Sequence, residues 1–241
     1  MPAPLSVVMP AYNEEASIAE AVREVAREVL DVVPGSELIV VDDGSTDRTG
    51  AILDALSELD PRLCVIHQAN CGHGSALMTG LERSDAEWVL LIDSDQQIPV
   101  GHFSAFWEWR HEVDGVLGSR VSRHDGLSRR FVTFSLRQLL RFGLGAPVVD
   151  ANVPFKLVRR TVWDEVRSTI PDDCLIPSVF IAVWLHRCRR AHVVLPVSHR
   201  SRAAGRTSLI RLRLVRFCWR AFLQTAAYRR MLPARAGGQA P

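Results

Sequence analysis

Three stretches of this chain put carboxylates directly behind a run of apolar residues: VVMPAYNE (7–14), LIVVDDGSTD (38–47) and VLLIDSDQQ (89–97). Gathered on one rim, Glu14, Asp42, Asp43, Asp93 and Asp95 would repel an anion, so the group that suits them is a divalent cation. Asp93 and Asp95 stand two residues apart, a spacing from which hard oxygen ligands grip Mg²⁺ or Mn²⁺ and leave sites for phosphate oxygens. The metal would then neutralise a leaving phosphate. Any one of these acids serves equally well as a helix cap, and a D-x-D pattern alone is weak. The coincidence of three such runs carries the reading.

The elements that must position these residues follow from hydrophobic period. Residues 6–9, 38–41, 64–66 and 89–92 read as strands, and apolar spacing predicts helices over 14–30, 49–59 and 74–83. Strands apolar at successive positions are covered on both faces, as in parallel sheets built from βαβ units. In such sheets ligands gather beyond the carboxyl ends of the strands, which is where the acids fall.

The 241 residues suit one α/β domain with an appendage, and 47% hydrophobic with 23% charged residues are globular values. The start MPAPLSVVMPAYNEE has no basic n-region, and no apolar run reaches the roughly 18 residues that span a bilayer, so a cytoplasmic location is expected. Five scattered cysteines without a C-x-x-C pair argue against structural zinc or a disulfide framework, and the eight histidines, without H-x-x-H or H-E-x-x-H, read as structural or surface residues.

The net charge of +2 hides a segregation. Residues 1–118 carry 6 Arg and 21 acids, whereas 119–241 carry 22 Arg, the single lysine Lys156 and 6 acids. The basic half suits an anionic partner. Aromatic residues do not interleave with the basic ones as a base-stacking platform requires, so nucleic acid is not the expected partner.

The runs SVVMPAYNEE, ELIVVDDGSTDRTG, NCGHGSALMTG, VLLIDSDQQIP, GSR and HRSRAAGRTS, in that order, resemble the family 2 glycosyltransferases of GT-A fold. Within them the chain is most similar to the polyprenyl-phosphate branch that includes dolichol-phosphate mannose synthases. The resemblance implies a mostly parallel sheet flanked by helices in a domain at 1–207. It implies that Pro10, Tyr12, Glu14, Asp42, Asp43, Gly74 and Asp93 hold a UDP- or GDP-linked sugar, and that Asp95 and Gln97 hold Mg²⁺ or Mn²⁺. Gln68 and Asn70 stand where a basic residue is common in relatives. Arg120 of Gly118-Ser119-Arg120 and Arg202 of the 199–205 stretch would meet donor or acceptor phosphate, with Arg123 and Arg129 as weaker candidates. Asp150, in the stretch Asp150 to Lys156, would be the base if the acceptor were a hydroxyl.

A family 2 enzyme inverts the anomeric centre by direct displacement. A phosphate monoester acceptor, with a second pKa of about 6, is already a dianion and needs little help from a base. The expected reaction is therefore transfer to a polyprenyl phosphate, with a soluble hydroxyl acceptor or a non-catalytic nucleotide-sugar-binding protein as alternatives. A sugar nucleotidyltransferase is disfavoured because the Gly-rich basic signature near the N-terminus is missing. Residues 208–232 alternate apolar side chains with Arg211, Arg213, Arg216 and Arg220, which suits a helix lying on an anionic membrane surface or one packed on the domain or on a second copy. The tail 233–241 is expected to be disordered.

Overall fold

The computed structural model describes residues 2–120, 151, 153–200 and 211–232. Strand β1 (Leu5–Ala11) is buried along its whole length, as its continuous apolar run requires of a central strand. Strands β2 (Glu37–Asp42) and β4 (Trp88–Leu91) flank β1 in parallel, and β3 (Leu63–His67) pairs in parallel with β2. Strand β6 (Lys156–Arg159) runs antiparallel between β4 and β5 (Gly115–Arg120), and β7 (His192–Val197) closes the order β3-β2-β1-β4-β6-β5-β7 among the described residues. The sheet is thus mostly parallel.

Alternation along the strands separates two cores. Val7 and Met9 of β1, with Trp88 and Leu90 of β4, face a layer that holds helices α1 (Ile18–Val25), α2 (Thr49–Ser57) and α4 (Phe103–Glu108). Val8, Val89 and Leu91 face the opposite layer, built from α3 (His73–Arg83), α5 (Arg160–Arg167), α6 (Pro177–Arg187) and α7 (Arg211–Met231).

The helix expected over 14–30 is shorter and irregular. Helix α1 starts at Ile18, whose N–H donates to Glu14 O while the Ser17 hydroxyl donates to the Glu14 carboxylate, and its continuation, Ala26–Leu30, widens into a π-helix. Cys174 is buried, and burial pushes its thiol up to about 11, the behaviour of an inert core thiol.

The C-terminal segment is not an independent appendage along its whole length. Thr225, Tyr228 and Leu232 are buried, and the Tyr228 ring stacks on Phe180 of α6 at 4.2 Å between centroids. Arg220 pairs with Asp173 at 2.8 Å. Among the described residues no helix is long and apolar enough to cross a membrane. The tail expected to be disordered, 233–241, lies outside the described residues.

Candidate functional site

The parallel register brings the acids together. Ala11 of β1 pairs with Asp42 of β2, Asp42 pairs with His67 of β3, and the Ile92 N–H bonds to Val8 O, so the strand ends that lead into Glu14, Asp43 and Asp93 lie side by side.

The turn after β1 is clasped to the turn after β2. Asn13 adopts φ 53°, and its Oδ1 accepts from the Thr46 N–H at 2.7 Å and from the Thr46 hydroxyl at 3.3 Å. The Glu14 N–H donates to Thr49 Oγ1 at 2.8 Å. Asp47 accepts from the hydroxyl and N–H of Thr49. Burial works to raise the Asp47 pKa, but these hydrogen bonds outweigh it and hold the carboxyl below its usual value. Pro10 is buried at the end of β1, and Tyr12 is exposed on the rim.

Asp42 and Asp43 are both buried but differ in partners. Asp43 is saturated by the loop before α3, accepting from Gln68 Nε2 at 2.7 Å, the Cys71 N–H at 2.9 Å and the Gly72 N–H at 2.8 Å. Gln68 passes the link on, its Oε1 accepting from the Thr79 hydroxyl. Gly44 fits because its φ is 70° and a Cβ there would sit 2.7 Å from the Asn70 nitrogen. Gly74 fits for another reason: a Cβ would come within 2.4 to 2.5 Å of the Leu175 and Cys174 carbonyl oxygens, so this glycine seats α3 under the 174–175 backbone.

Asp42 Oδ2 lies 3.0 Å from His67 Nδ1, and His67 Nε2 lies 2.9 Å from Asp54. The bonds to Asp54 and then Asp42 raise the His67 pKa. A raised folded-state value means that protonated His67 adds stability in full below the unfolded value of about 6.5 and that this stability is lost as pH climbs through the folded value. Because the ring is half exposed, the contribution is at most about 1 kcal/mol, or roughly 2–4 °C in Tm for a chain of this size. The Tm difference between wild type and His67→Gln should therefore shrink between pH 5.5 and 8.5. A constant difference would remove the ionic role of His67.

On the other side of the rim, Asp93 Oδ1 meets His73 Nε2 at 3.0 Å, at the first turn of α3. Desolvation opposes the imidazolium, but Asp93, with Asp43 and Asp95 behind it, outweighs that cost and raises the His73 pKa. Asp95 Oδ1 accepts from the Gln97 N–H at 3.1 Å. Gln97 Oε1 lies 3.1 Å from His199 Nε2, and Gln97 O accepts from the Arg200 N–H at 2.7 Å. The segment that follows β7 is further tied down by His102, whose Nε2 accepts from the Ser198 N–H at 3.0 Å. Burial, and then the charge of Arg200, lowers the His102 pKa and favours the neutral ring that this acceptor role needs.

Among the described residues no three carboxylate, imidazole or thiol groups converge as a metal cluster. Asp95 offers a carboxylate and Gln97 an amide oxygen on the same loop, hard oxygen donors that would suit Mn²⁺ or Mg²⁺, and the His199 imidazole stands against the Gln97 oxygen. Asn13, Gln68, His67, His73 and His199 join the rim without having been singled out by the sequence as site residues. Arg120 ends β5, paired with Val197, immediately before the 198–200 segment. Asp150, Arg202, Arg123 and Arg129 lie outside the described residues.

A nucleotide-binding α/β sheet with a carboxylate rim is the architecture of the GT-A glycosyltransferases, and solved structures agree. A glucosyl-3-phosphoglycerate synthase from Mycobacterium tuberculosis, in complex with Mn²⁺, UDP-glucose and phosphoglyceric acid, is 23% identical, covers 98% of this chain and 83% of its own, and has a TM-score of 0.66. A mannosyltransferase from Pyrobaculum calidifontis, in complex with GDP-Man and Mn²⁺, is 22% identical, covers 100% and 68%, and has a TM-score of 0.64. The model of glycosyl transferase family 2 matches residues 6–167, and the chain belongs to that family.

Among curated proteins, the undecaprenyl-phosphate 4-deoxy-4-formamido-L-arabinose transferases of Pseudomonas aeruginosa and Pectobacterium carotovorum are 29% and 27% identical over 214 residues. The match takes in 88% of this chain but only 62% and 64% of theirs, so the chain spans under two thirds of the length of these relatives.

Proposed function

We propose that this protein transfers a sugar, with inversion, from a UDP- or GDP-linked donor to a polyprenyl phosphate, using a divalent cation. The observation that carries the reading is the carboxylate rim: Asp42 ends β2 beside the end of β1, Asp93 pairs with His73, and Asp95 and Gln97 follow on the same loop, with Gln97 reaching His199. Asp95 and Gln97, with His199 beside them, would hold Mn²⁺ or Mg²⁺, and the cation would supply the charge that neutralises a departing diphosphate. Tyr12, Glu14 and Asp42 face the nucleoside, and Asp43 acts by fixing the 68–72 loop.

His73 is the titratable base at the end of the loop in which Gln68 and Asn70 carry no charge. Arg120 and Arg202 are the phosphate-binding residues, through bidentate, charge-assisted bonds, and Asp150 is the base if the acceptor is a hydroxyl. The acceptor reading is supported by the curated relatives, named as undecaprenyl-phosphate transferases, and by the surplus of arginine after residue 118. The basic first half of α7 then lies on the surface of the membrane that carries the lipid, on its cytoplasmic side.

A thermal-shift panel of UDP- and GDP-sugars, with and without Mn²⁺, tests the donor and the metal together, since a specific ligand raises Tm by mass action. One nucleotide sugar should stabilise the chain, and more so with Mn²⁺. A flat panel would defeat the reading.

A further inference from the structure

We infer that Glu24 of α1 is a positioning residue for the metal-binding loop. Helix α1 buries Ile18, Ala21, Val22 and Val25 as its apolar period dictates, and Glu24 breaks the pattern, a carboxylate only 8% exposed beside that face. A buried carboxylate needs hydrogen-bond donors, and the 95–100 loop supplies them. Gln96 Nε2 donates to Glu24 Oε2 and the Val100 N–H donates to Glu24 Oε1, both at 3.3 Å. The two contacts straddle Gln97 and follow directly on Asp95.

The loop needs such an anchor. Gln96 adopts φ 55°, a left-handed conformation that costs a residue other than glycine roughly 1–2 kcal/mol and persists only where its surroundings enforce it. Across that residue Asp95 Oδ1 accepts the Gln97 N–H. Glu24 holds the loop at Gln96, the left-handed residue itself, and again at Val100. The same carboxylate lines a cavity of about 460 Å³ with Glu20, Glu28, Asp95 and Arg200, so no packed side chain would replace the support if it were removed.

The inference rests on the metal reading above, and its test reads metal affinity rather than turnover. Mn²⁺ is titrated into the full chain, alone and with UDP or GDP, while the EPR signal of free Mn²⁺ is followed. Glu24→Ala and Glu24→Gln should weaken Mn²⁺ binding about tenfold or more, the usual consequence of losing a group that orients a metal ligand. Glu20→Ala, an exposed acid one turn earlier on α1, should stay within about twofold and so exclude a long-range charge effect.

A residue with a merely structural role would lower Tm and leave the affinity of the folded protein unchanged. Glu24→Gln preserves the side-chain shape and carries the test if the alanine variant is unstable. Wild-type affinity in the glutamine variant would overturn the positioning role alone. A wild-type chain that takes up no Mn²⁺ under any of these conditions would overturn the metal reading together with it.

Discussion

Asp95→Asn is expected to leave the fold intact and to lower turnover by roughly 10²–10³, or about 3–4 kcal/mol of transition-state stabilisation. The fold should survive because Asp95 accepts the Gln97 N–H, which an asparagine oxygen also does. What the amide lacks is the negative charge that the cation needs. The same variant should lose the part of the thermal shift that depends on Mn²⁺ and keep the part that nucleotide gives without metal. Full turnover in Asp95→Asn, or in wild type with excess EDTA, would exclude metal assistance. Gln97→Ala should have a smaller effect, because a neutral oxygen contributes less to cation binding than a carboxylate does.

The strand ends that hold Asp42, Asp43, Asp93 and Asp95 were legible in the sequence because one local rule places them. A strand covered on both faces is apolar throughout, and the first polar residues after it mark the carboxyl edge of a parallel sheet. The partners of those acids were not legible. His199 meets Gln97 across 102 residues, and His67 meets Asp42 across 25, so no period or spacing relates them. Glu24 looked like any polar residue on an amphipathic helix, since its burial depends on where the 95–100 loop crosses α1. Gly74 was expected to face the nucleotide sugar, and its close approach to the carbonyls of 174–175, far along the chain, left no mark in the sequence.

The other large effect concerns α7. The sequence presents 208–230 as basic and apolar, a composition that suits a membrane surface and hides the short spacing Thr225, Tyr228, Leu232, which is a core stripe. Removal of 208–241 strips Phe180 of its stacked partner, takes from the Leu175 N–H the Gln224 oxygen it reaches at 2.9 Å, and frees Asp173 from Arg220. Loss of a buried ring alone costs about 3–5 kcal/mol, so Tyr228→Ala should lower Tm by roughly 10 °C and the truncation by more.

The damage should reach the donor rim, because Asp173 and Leu175 belong to the segment whose carbonyls seat Gly74, and α3 begins beside the loop that Asp43 holds. Truncated protein should therefore bind nucleotide sugar more weakly even where it stays folded. Arg211→Glu with Arg213→Glu, N-terminal to Thr225, Tyr228 and Leu232, should leave Tm within about 2 °C and reduce salt-sensitive binding to anionic liposomes. If the truncated chain keeps the wild-type Tm and donor affinity, the packing of α7 adds nothing and the whole segment is free to serve the membrane. If the double glutamate variant binds liposomes as wild type does, the membrane role of the basic half falls while the packing role of Tyr228 stands.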